Sequence, residues 1–564
     1  MEKIREKIEM SLGEIKCNLV LKNAFYINVF NGQIEQGDIG ICDDTIVGIG
    51  NYEGDVEIDC SEQYVSPGFI DSHVHIESTM MTPEKYSSIA IKNGVTTVIS
   101  DPHEIANVEG VKGIEFMLNN SENSVIDIYF MLPSCVPTTS FEDNGYTLSY
   151  EELQKLSNHP KVLGLGEVMD IQSVINKKDD MLYKLKLFNE KPIDGHSPVI
   201  SPKELNAYIT SGIKTDHECS NYKDALNKIS KGMYVLMREG SAAKNLTSLL
   251  KAVKDENYHR FLFCTDDRHI EDLVEEGSID NCIRIAIREG IDPVKAFTMA
   301  TFNAAQCYGL KNIGAIAPGY KADLVIFDSL KQIKIKKVLK NGKDPLLNYK
   351  TKVIYNIKTS MNLDFISAKD FKIPALGNEV NVIKVKPQSL ETIKEIRKVS
   401  KENGYVSKVD SKDVLKLAVF ERHKRSKRHS IGYVEGLGLK DCAIAQTIAH
   451  DSHNIIVIGD SDKDMEVAVN SLITIGGGIV IASEGKLVSH LSLPIGGLMT
   501  FQDPYIVCEN VKRLNRIARS YGIKQGFDPF ITLSFLALPV IPEIKLTTKG
   551  LYEFSKENFI DLFV

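Results

Sequence analysis

Between Tyr64 and Asp267 short apolar runs alternate with stretches long enough to be helices. The runs are YVSPGFIDSHVH, VTTVISDPH, VIDIYFMLPSCV, VLGLGEV, PIDGHSP, GIKTDHEC, MYVLMREGS and RFLFCTDD, eight in all. Helix-like patterns such as TPEKYSSIAIKNG, YEELQKLSNH, SPKELNAYITSG and KNLTSLLKAVKDEN lie between them. Strands alternating with helices pair in parallel, and eight such units predict a closed (β/α)8 TIM barrel. The texture differs on either side. Residues 15–66 alternate Val, Ile, Phe and Tyr around Asn-Gly, Gly-Asp and Asp-Asp turns, and Gly309–Ser329 is turn-rich and β-like in the same way. The two flanks are expected to join into a small β-sandwich with the barrel inserted between them. Beyond about Asp364, strand-like VNVIKVK and NIIVIG and a helix-like SLETIKEIRKVSKENG predict a separate C-terminal α/β domain. The expected boundaries are 1–66, 67–305, 306–364 and 365–564.

A barrel strand buried on both faces should be apolar throughout. Most of these runs instead end in side chains capable of chemistry: His73 and His75, His103, Glu167, His196, His217 and Asp266. The C-terminal strand ends of this fold form its active face, so one shared site explains the pattern. His73 and His75 are two apart on a strand and share a side. An isolated H-x-H carries little weight, but here Glu167, His196, His217 and Asp266 stand at equivalent strand ends. Four histidines and two carboxylates suit two borderline-to-hard divalent ions such as Mn, Fe or Zn. Cys219 and Cys264 read as small wall-packing residues. Glu167 is placed to bridge two ions with its two oxygens, opposite a bridging water whose pKa falls from ~15.7 towards ~7. Asp266 would ligate one ion, accept a proton from the resulting hydroxide and pass it to a leaving group. The chemistry read from the residues alone is metal-assisted hydrolysis.

Composition narrows the partners. The chain has 564 residues, 43% hydrophobic and 25% charged, with a net charge of -8. That balance argues against nucleic acid or an anionic membrane as the main partner. The basic stretch ERHKRSKRH (Glu421 to His429) reads as a solvated turn or helix end. The ten cysteines include no C-x-x-C pair, which suits reduced thiols in a cytoplasm. Neither a secretory signal nor a run of ~18 uncharged apolar residues is visible. GGGIVIASEGK departs from a phosphate loop in spacing, and DSDKDM lacks the glycine and closing glutamate of a calcium loop. They are expected to be a turn between strands and a turn or helix cap. His450 and His453, three apart in AHDSHN, either hold an accessory metal with His423 or His429, or serve packing or contact with the barrel mouth.

The stretches PGFIDSHVHIESTMMTP, GLGEVMD, DGHSP and TDHEC, with ATFNAAQCYGL and GAIAPGYKADLVIF, resemble the amidohydrolase superfamily, and within it the bacterial adenine deaminases. The likeness extends over essentially the whole chain. It implies hydrolytic deamination of adenine to hypoxanthine and ammonia in purine salvage. It also implies two divalent ions per chain, manganese first and iron second, and a small-molecule substrate; the cysteine pattern suits a cytoplasmic enzyme, and a homo-oligomer is expected because large barrel enzymes often self-associate. Dihydroorotases and hydantoinases of this superfamily place a carbamylated lysine on strand four, where GLGEVMD offers Glu167. N-acetylglucosamine-6-phosphate deacetylases also use a glutamate there. An amidohydrolase acting on an amide or N-acetyl group is therefore the rival reading, and a non-catalytic binding scaffold the third. The zinc deaminase pattern H-x-E with P-C-x-x-C is absent.

For the purine, Glu218 is the candidate to hold a proton at N1, against the objection that strand neighbours face opposite ways. His103, after Ser-Asp-Pro, is a candidate for contact with the reacting water or the purine, or for a helix cap with Asp101. Ser134, Arg238 and Ser241 are rim candidates, the first two for substrate binding.

Overall fold

The computed structural model describes residues 1–139, 141–198, 200–347, 349 and 361–564. Residues 348 and 350–360 of the expected 306–364 flank lie outside the described residues. The chain divides into two compact units. One comprises Met1–Pro102, Met117–Ser134 and Ser149–Ile354, the other His103–Phe116, Cys135–Leu148 and Tyr355–Val564.

In the first unit the N-terminal flank folds as β1 (Cys17–Asn28), β2 (Gln33–Cys42), β3 (Thr45–Gly50), β4 (Gly54–Asp59) and β5 (Tyr64–Pro67). The barrel strands follow: β6 (Phe69–Val74), β7 (Val95–Ser100), β8 (Asp127–Leu132), β9 (Val162–Val168), β10 (Ile193–Gly195), β11 (Thr215–Asp216), β12 (Tyr234–Arg238) and β13 (Phe261–Cys264). β14 (Leu324–Phe327) and β15 (Ile335–Leu339) return to the flank. The flanks join where β14 pairs antiparallel with β5, Ile326 opposite Val65. They form one seven-stranded sheet in which the long β1 changes partner. Its Cys17–Lys22 half pairs with β4 and its Phe25–Tyr26 half with β5. Leu21, Ile39, Ile41, Val65, Leu324 and Ile326 make its core.

All eight sequence runs become parallel strands, β6 to β10 in one ladder and β11 to β13 in a second. Two sets of bonds close the ring. Lys214 N donates to Ile193 O at 3.0 Å, which joins β11 to β10. Asp266 N donates to His73 O at 2.9 Å and His75 N to Asp266 O at 3.2 Å, which joins the end of β13 to β6. Ile70, Ile99, Met131, Leu236 and Leu262 fill the interior, and Ala304 and Tyr308 after the last strand pack against them.

The second unit holds β16 (Glu379–Val385), β17 (Thr392–Glu402), β18 (Tyr405–Val409), β19 (Val414–Phe420), β20 (His429–Glu435), β21 (Ala443–Gln446), β22 (Ile455–Gly459), β23 (Gly478–Ser483) and β24 (Lys486–Ser492). They form one nine-stranded sheet. The helix Asp462–Ile475 packs Ala468, Val469 and Leu472 onto Ala445, Val457 and Val480. The SLETIKEIRKVSKENG stretch is not the helix that its spacing predicts. Ile393, Ile396 and Val399 are three apart, as on a helix face, yet they lie on β17. The Asn-Gly pair decides the matter: Asn403 and Gly404 have φ of 50° and 82° and close a two-residue hairpin to β18. Arg397 then pairs across the sheet with Glu435, Nε to Oε2 at 2.8 Å. The glycine-rich and acidic stretches behave as expected, the first as β23, a turn and β24, the second as a helix start capped by Ser461.

No disulfide joins any of the ten cysteines. Among the described residues no helix is long and apolar enough to cross a membrane. The basic stretch is solvated from Lys424 onward, but Arg422 and His423 are buried. His423 donates from Nε2 to Ser452 O at 2.8 Å. Burial and then the neighbouring Arg422 cation hold its pKa well below 6.5. The unfolded chain therefore takes up a proton near pH 6.5 that the folded chain refuses. Stability is full above that pH and falls as pH drops, by about 1.4 kcal/mol per pH unit for one group. We expect thermal melts of the wild type to fall more steeply between about pH 6.5 and 5 than those of His423→Gln, which keeps the donor but cannot titrate. Parallel slopes would refute this.

Candidate metal centre

The strand ends of the first unit bring six donors together. His73 and His75 close β6 with their Nε2 atoms 3.1 Å apart. Glu167, on the last turn of β9, points between two groups of imidazoles. Its Oε1 lies 3.3 Å from His75 Nε2 and 3.8 Å from His73 Nε2. Its Oε2 lies 2.6 Å from His196 Nδ1 and 3.2 Å from His217 Nε2. Asp266 Oδ1 joins the first group, 3.0 Å from His75 and 3.6 Å from His73. The arrangement is two groups of donors sharing one carboxylate.

Local structure fixes each donor. β9 is a strand, so Glu167 points into the barrel mouth with alternate residues below it. Its backbone N donates to Asp101 Oδ2 at 2.9 Å. Asp266 has φ of 56°, a left-handed turn that a short polar residue tolerates. This turns the chain off β13 while the Asp266 backbone stays bonded to His73 and His75. Asp71, within β6, accepts from Thr265 N at 3.1 Å and Thr265 Oγ1 at 2.5 Å, which ties the two strand ends together. Asp71 and Asp101 have no part in the sequence reading of the centre. Their signal was a carboxylate inside an otherwise apolar strand and one just beyond the next.

These donors fit a divalent metal. They are imidazole nitrogens and carboxylate oxygens, without thiolate. His75 Nδ1 lies 2.9 Å from Asp101 O and donates to it, so Nε2 is the nitrogen that turns to the centre and can ligate once its own proton is displaced. Burial alone would make Glu167 and Asp266 weak acids. His196 and His217 nevertheless hold Glu167 well below the usual carboxylate range, and Arg238 and then His73 do the same for Asp266. Against burial, Glu167 raises the His217 pKa to about 9. Without metal the cluster is therefore neutralised by protons on imidazole.

Glu218 follows β11, which ends at Asp216, so strand alternation no longer governs it. Its Oε1 lies 3.6 Å from His217 Nε2. Arg238 Nη1 reaches Glu218 Oε1 and Asp266 Oδ2, both at 2.5 Å. Against burial, Arg238 keeps Glu218 below its ordinary pKa, so it is a carboxylate rather than the protonated acid expected for N1. Arg238 itself is engaged by two carboxylates. Ser134 donates to Glu167 O at 2.5 Å and braces that strand end. Ser241 donates to Asp272 and accepts from His269 N, so it braces the chain where the helix Ile270–Glu275 begins. His103 opens a helix of the second unit, its Nε2 3.6 Å from Glu104 Oε1.

In that unit Glu104 lies between His450 and His453, with His450 Nδ1 2.7 Å from its Oε1. Ala449 N donates to His453 Nδ1 at 3.2 Å, so the ring proton sits on Nε2, which donates to Glu104 Oε2. Nε2 then has no lone pair for a metal. As it stands the trio is a buried hydrogen-bonded cluster, with both imidazoles on the one carboxylate.

A closed parallel barrel with imidazoles and carboxylates gathered at one rim defines the amidohydrolase class, and residues 64–344 match the amidohydrolase family. Residues 389–558 match the adenine deaminase C-terminal domain. The chain is 46% identical to adenine deaminase of Clostridium acetobutylicum, over 99% of this chain and 100% of that protein. It is 46% identical to adenine deaminase 2 of Carboxydothermus hydrogenoformans, over 98% of each, and 43% identical to adenine deaminase of Bacillus pumilus, over 98% of each. It belongs to the adenine deaminase family.

Because a metal takes neutral imidazole, its uptake must displace the proton that His217 carries below about pH 9. Apparent affinity for Mn2+ should therefore rise with pH up to that value, by about tenfold per unit for each proton displaced. Calorimetric titration of metal-free protein in buffers of different ionisation enthalpy measures the release. Heats independent of buffer near pH 7.5 would contradict it.

Proposed function

We propose that this chain hydrolyses adenine at C6, releasing ammonia and leaving hypoxanthine. One observation carries the reading: Glu167 turns one oxygen to His73 and His75 and the other to His196 and His217. The bridge stands in a chain that matches adenine deaminases over nearly its full length. Two divalent ions, manganese first and iron second, would be held by His73, His75 and Asp266 on one side and His196 and His217 on the other, with Glu167 between; they would supply Lewis acidity and acidify water.

The chain's own residues do the rest. Asp266 is the proton carrier: ionised, with Oδ1 facing the imidazoles and Oδ2 held by Arg238, it takes a proton from attacking water. It returns that proton to the exocyclic nitrogen as the C6–N bond breaks and ammonia leaves; the water's second proton passes to N1, which took the ring electron pair on attack, so that the C6–O bond becomes the carbonyl of hypoxanthine. Glu218, ionised against Arg238, accepts a hydrogen bond from a purine N–H and orients the ring. Arg238 keeps both carboxylates charged and apart. Ser134 acts through Glu167 rather than on the substrate. The ten cysteines, none in a disulfide, and the net charge of -8 support a cytoplasmic place in purine salvage, and the size of the barrel chain supports a homo-oligomer.

The test is Glu167→Gln, assayed for bound Mn and for loss of adenine absorbance. Both should fall together, by at least about tenfold, as expected when a bridging ligand loses its charge. Full turnover with intact metal would overturn the bridge.

A further inference from the structure

The two halves of the centre are not held in the same way. His73, His75 and Glu167 stand on or at the end of strands of six and seven residues, whose ladders fix them. His196 and His217 follow strands of only three and two residues. So little ladder cannot hold two imidazoles in register, and something else must.

Two fully buried side chains on the following helices reach back to these strand ends. Tyr208, on the helix Pro202–Thr210, accepts from His196 N at 2.9 Å and donates to Val168 O at 2.6 Å. It fastens His196 to the residue next to Glu167. Lys228, on the helix Tyr222–Ser230, donates to Ser197 O at 2.7 Å and to Asp216 Oδ2 at 2.8 Å. Asp216 completes the lock: Oδ1 accepts from Ser197 N at 2.8 Å and Ser197 Oγ at 2.7 Å, and Oδ2 accepts from Glu218 N at 3.1 Å. Lys228 and Asp216 thus hold the residue after His196 and the residues on both sides of His217. Lys228, Asp216, Ser197 and Tyr208 are each 0% exposed, so water cannot substitute for any of these bonds.

We propose that Tyr208 and the Lys228–Asp216 pair are positioning residues for the His196–His217 half of the centre, and that without them this half loses metal while the His73–His75–Asp266 half keeps it. The proposal rests on the paired-ion reading above. None of these residues touches the first half, whose own fastenings are Asp101, Asp71 and Thr265. A residue important only for folding would weaken both halves or neither.

The test titrates metal-free full-length wild type, Tyr208→Phe and Lys228→Met with Mn2+, reading tightly bound equivalents by elemental analysis after desalting and free Mn2+ by paramagnetic resonance. Wild type should bind two equivalents. Each variant should keep the first unchanged and bind the second at least about tenfold more weakly, the usual range for loss of a group that orients a ligand. Activity should fall and recover in part at high Mn2+. Tyr208→Phe removes one oxygen only, so it decides the matter if Lys228→Met does not fold. Two unaltered equivalents, or equal weakening of both, overturns the proposal. Fewer than two in the wild type overturns the paired-ion reading instead.

Discussion

One buried carboxylate organises the first unit. Glu167 must present one oxygen to each of two imidazole pairs, and small rotations of the side chain would break one set of contacts to improve the other. The surrounding chain removes that freedom. Its backbone N bonds Asp101, its carbonyl accepts from Ser134, and Ser134 O in turn accepts from Lys184 Nζ at 3.0 Å. The glycine before it has the same purpose: a Cβ on Gly166 would lie 2.2 Å from Asp101 Oδ2, so only glycine lets the strands approach closely enough for that bond. Gly164 makes the same allowance on the other side, where a Cβ would meet Pro192 O at 1.9 Å. The GLGE sequence is therefore a packing requirement of the bridge as much as a carrier of its carboxylate.

Charge closes the account of the rim. Glu167, Asp266 and Glu218 are three carboxylates in one mouth, and burial opposes each of their charges. Arg238 answers two of them with a single guanidinium, a proton on His75 supports Asp266 first and Glu167 second, and a proton on His217 answers Glu167 in the metal-free chain. A metal exchanges those protons for its own charge. Arg238, which cannot give up its proton near neutral pH, stays as the fixed part of the balance. This explains why Glu218 is ionised. Burial and the neighbouring Asp266 favour a protonated Glu218, but Arg238, with His196 and His217, outweighs them.

Much of this could be read from the chain. Eight runs bounded by helix patterns gave the barrel, and donors recurring at strand ends gave the centre, because both signals depend on local spacing. What escaped depends on contacts between distant residues. Lys228 reads as one more helix charge, and nothing in YKDALNKIS says that its amine turns inward to Asp216. Tyr208 reads as an apolar helix residue, although its hydroxyl carries the fastening. Arg238 was visible as a rim residue but not as the partner of two carboxylates, which requires β11, β12 and β13 side by side. The misread β17 shows the opposite limit: a three-residue apolar spacing imitated a helix, and only pairing across the sheet with β16 and β18 told them apart.

Lys228 and Asp216 raise a question of energy. A fully buried ion pair is a poor source of stability, since desolvation of both charges offsets most of their attraction. An apolar pair of equal volume would serve the core as well or better. It would not serve the strand ends: Ser197 N and Ser197 O would each be left buried without a partner, at about 1–3 kcal/mol apiece, and Glu218 N would lose its acceptor. Long strands meet such demands through their ladders, but β10 and β11 are cut short because His196 and His217 must leave the ladder to reach Glu167. The buried charges are the consequence of ending two strands early, and the strands end early to bring two imidazoles to the bridge.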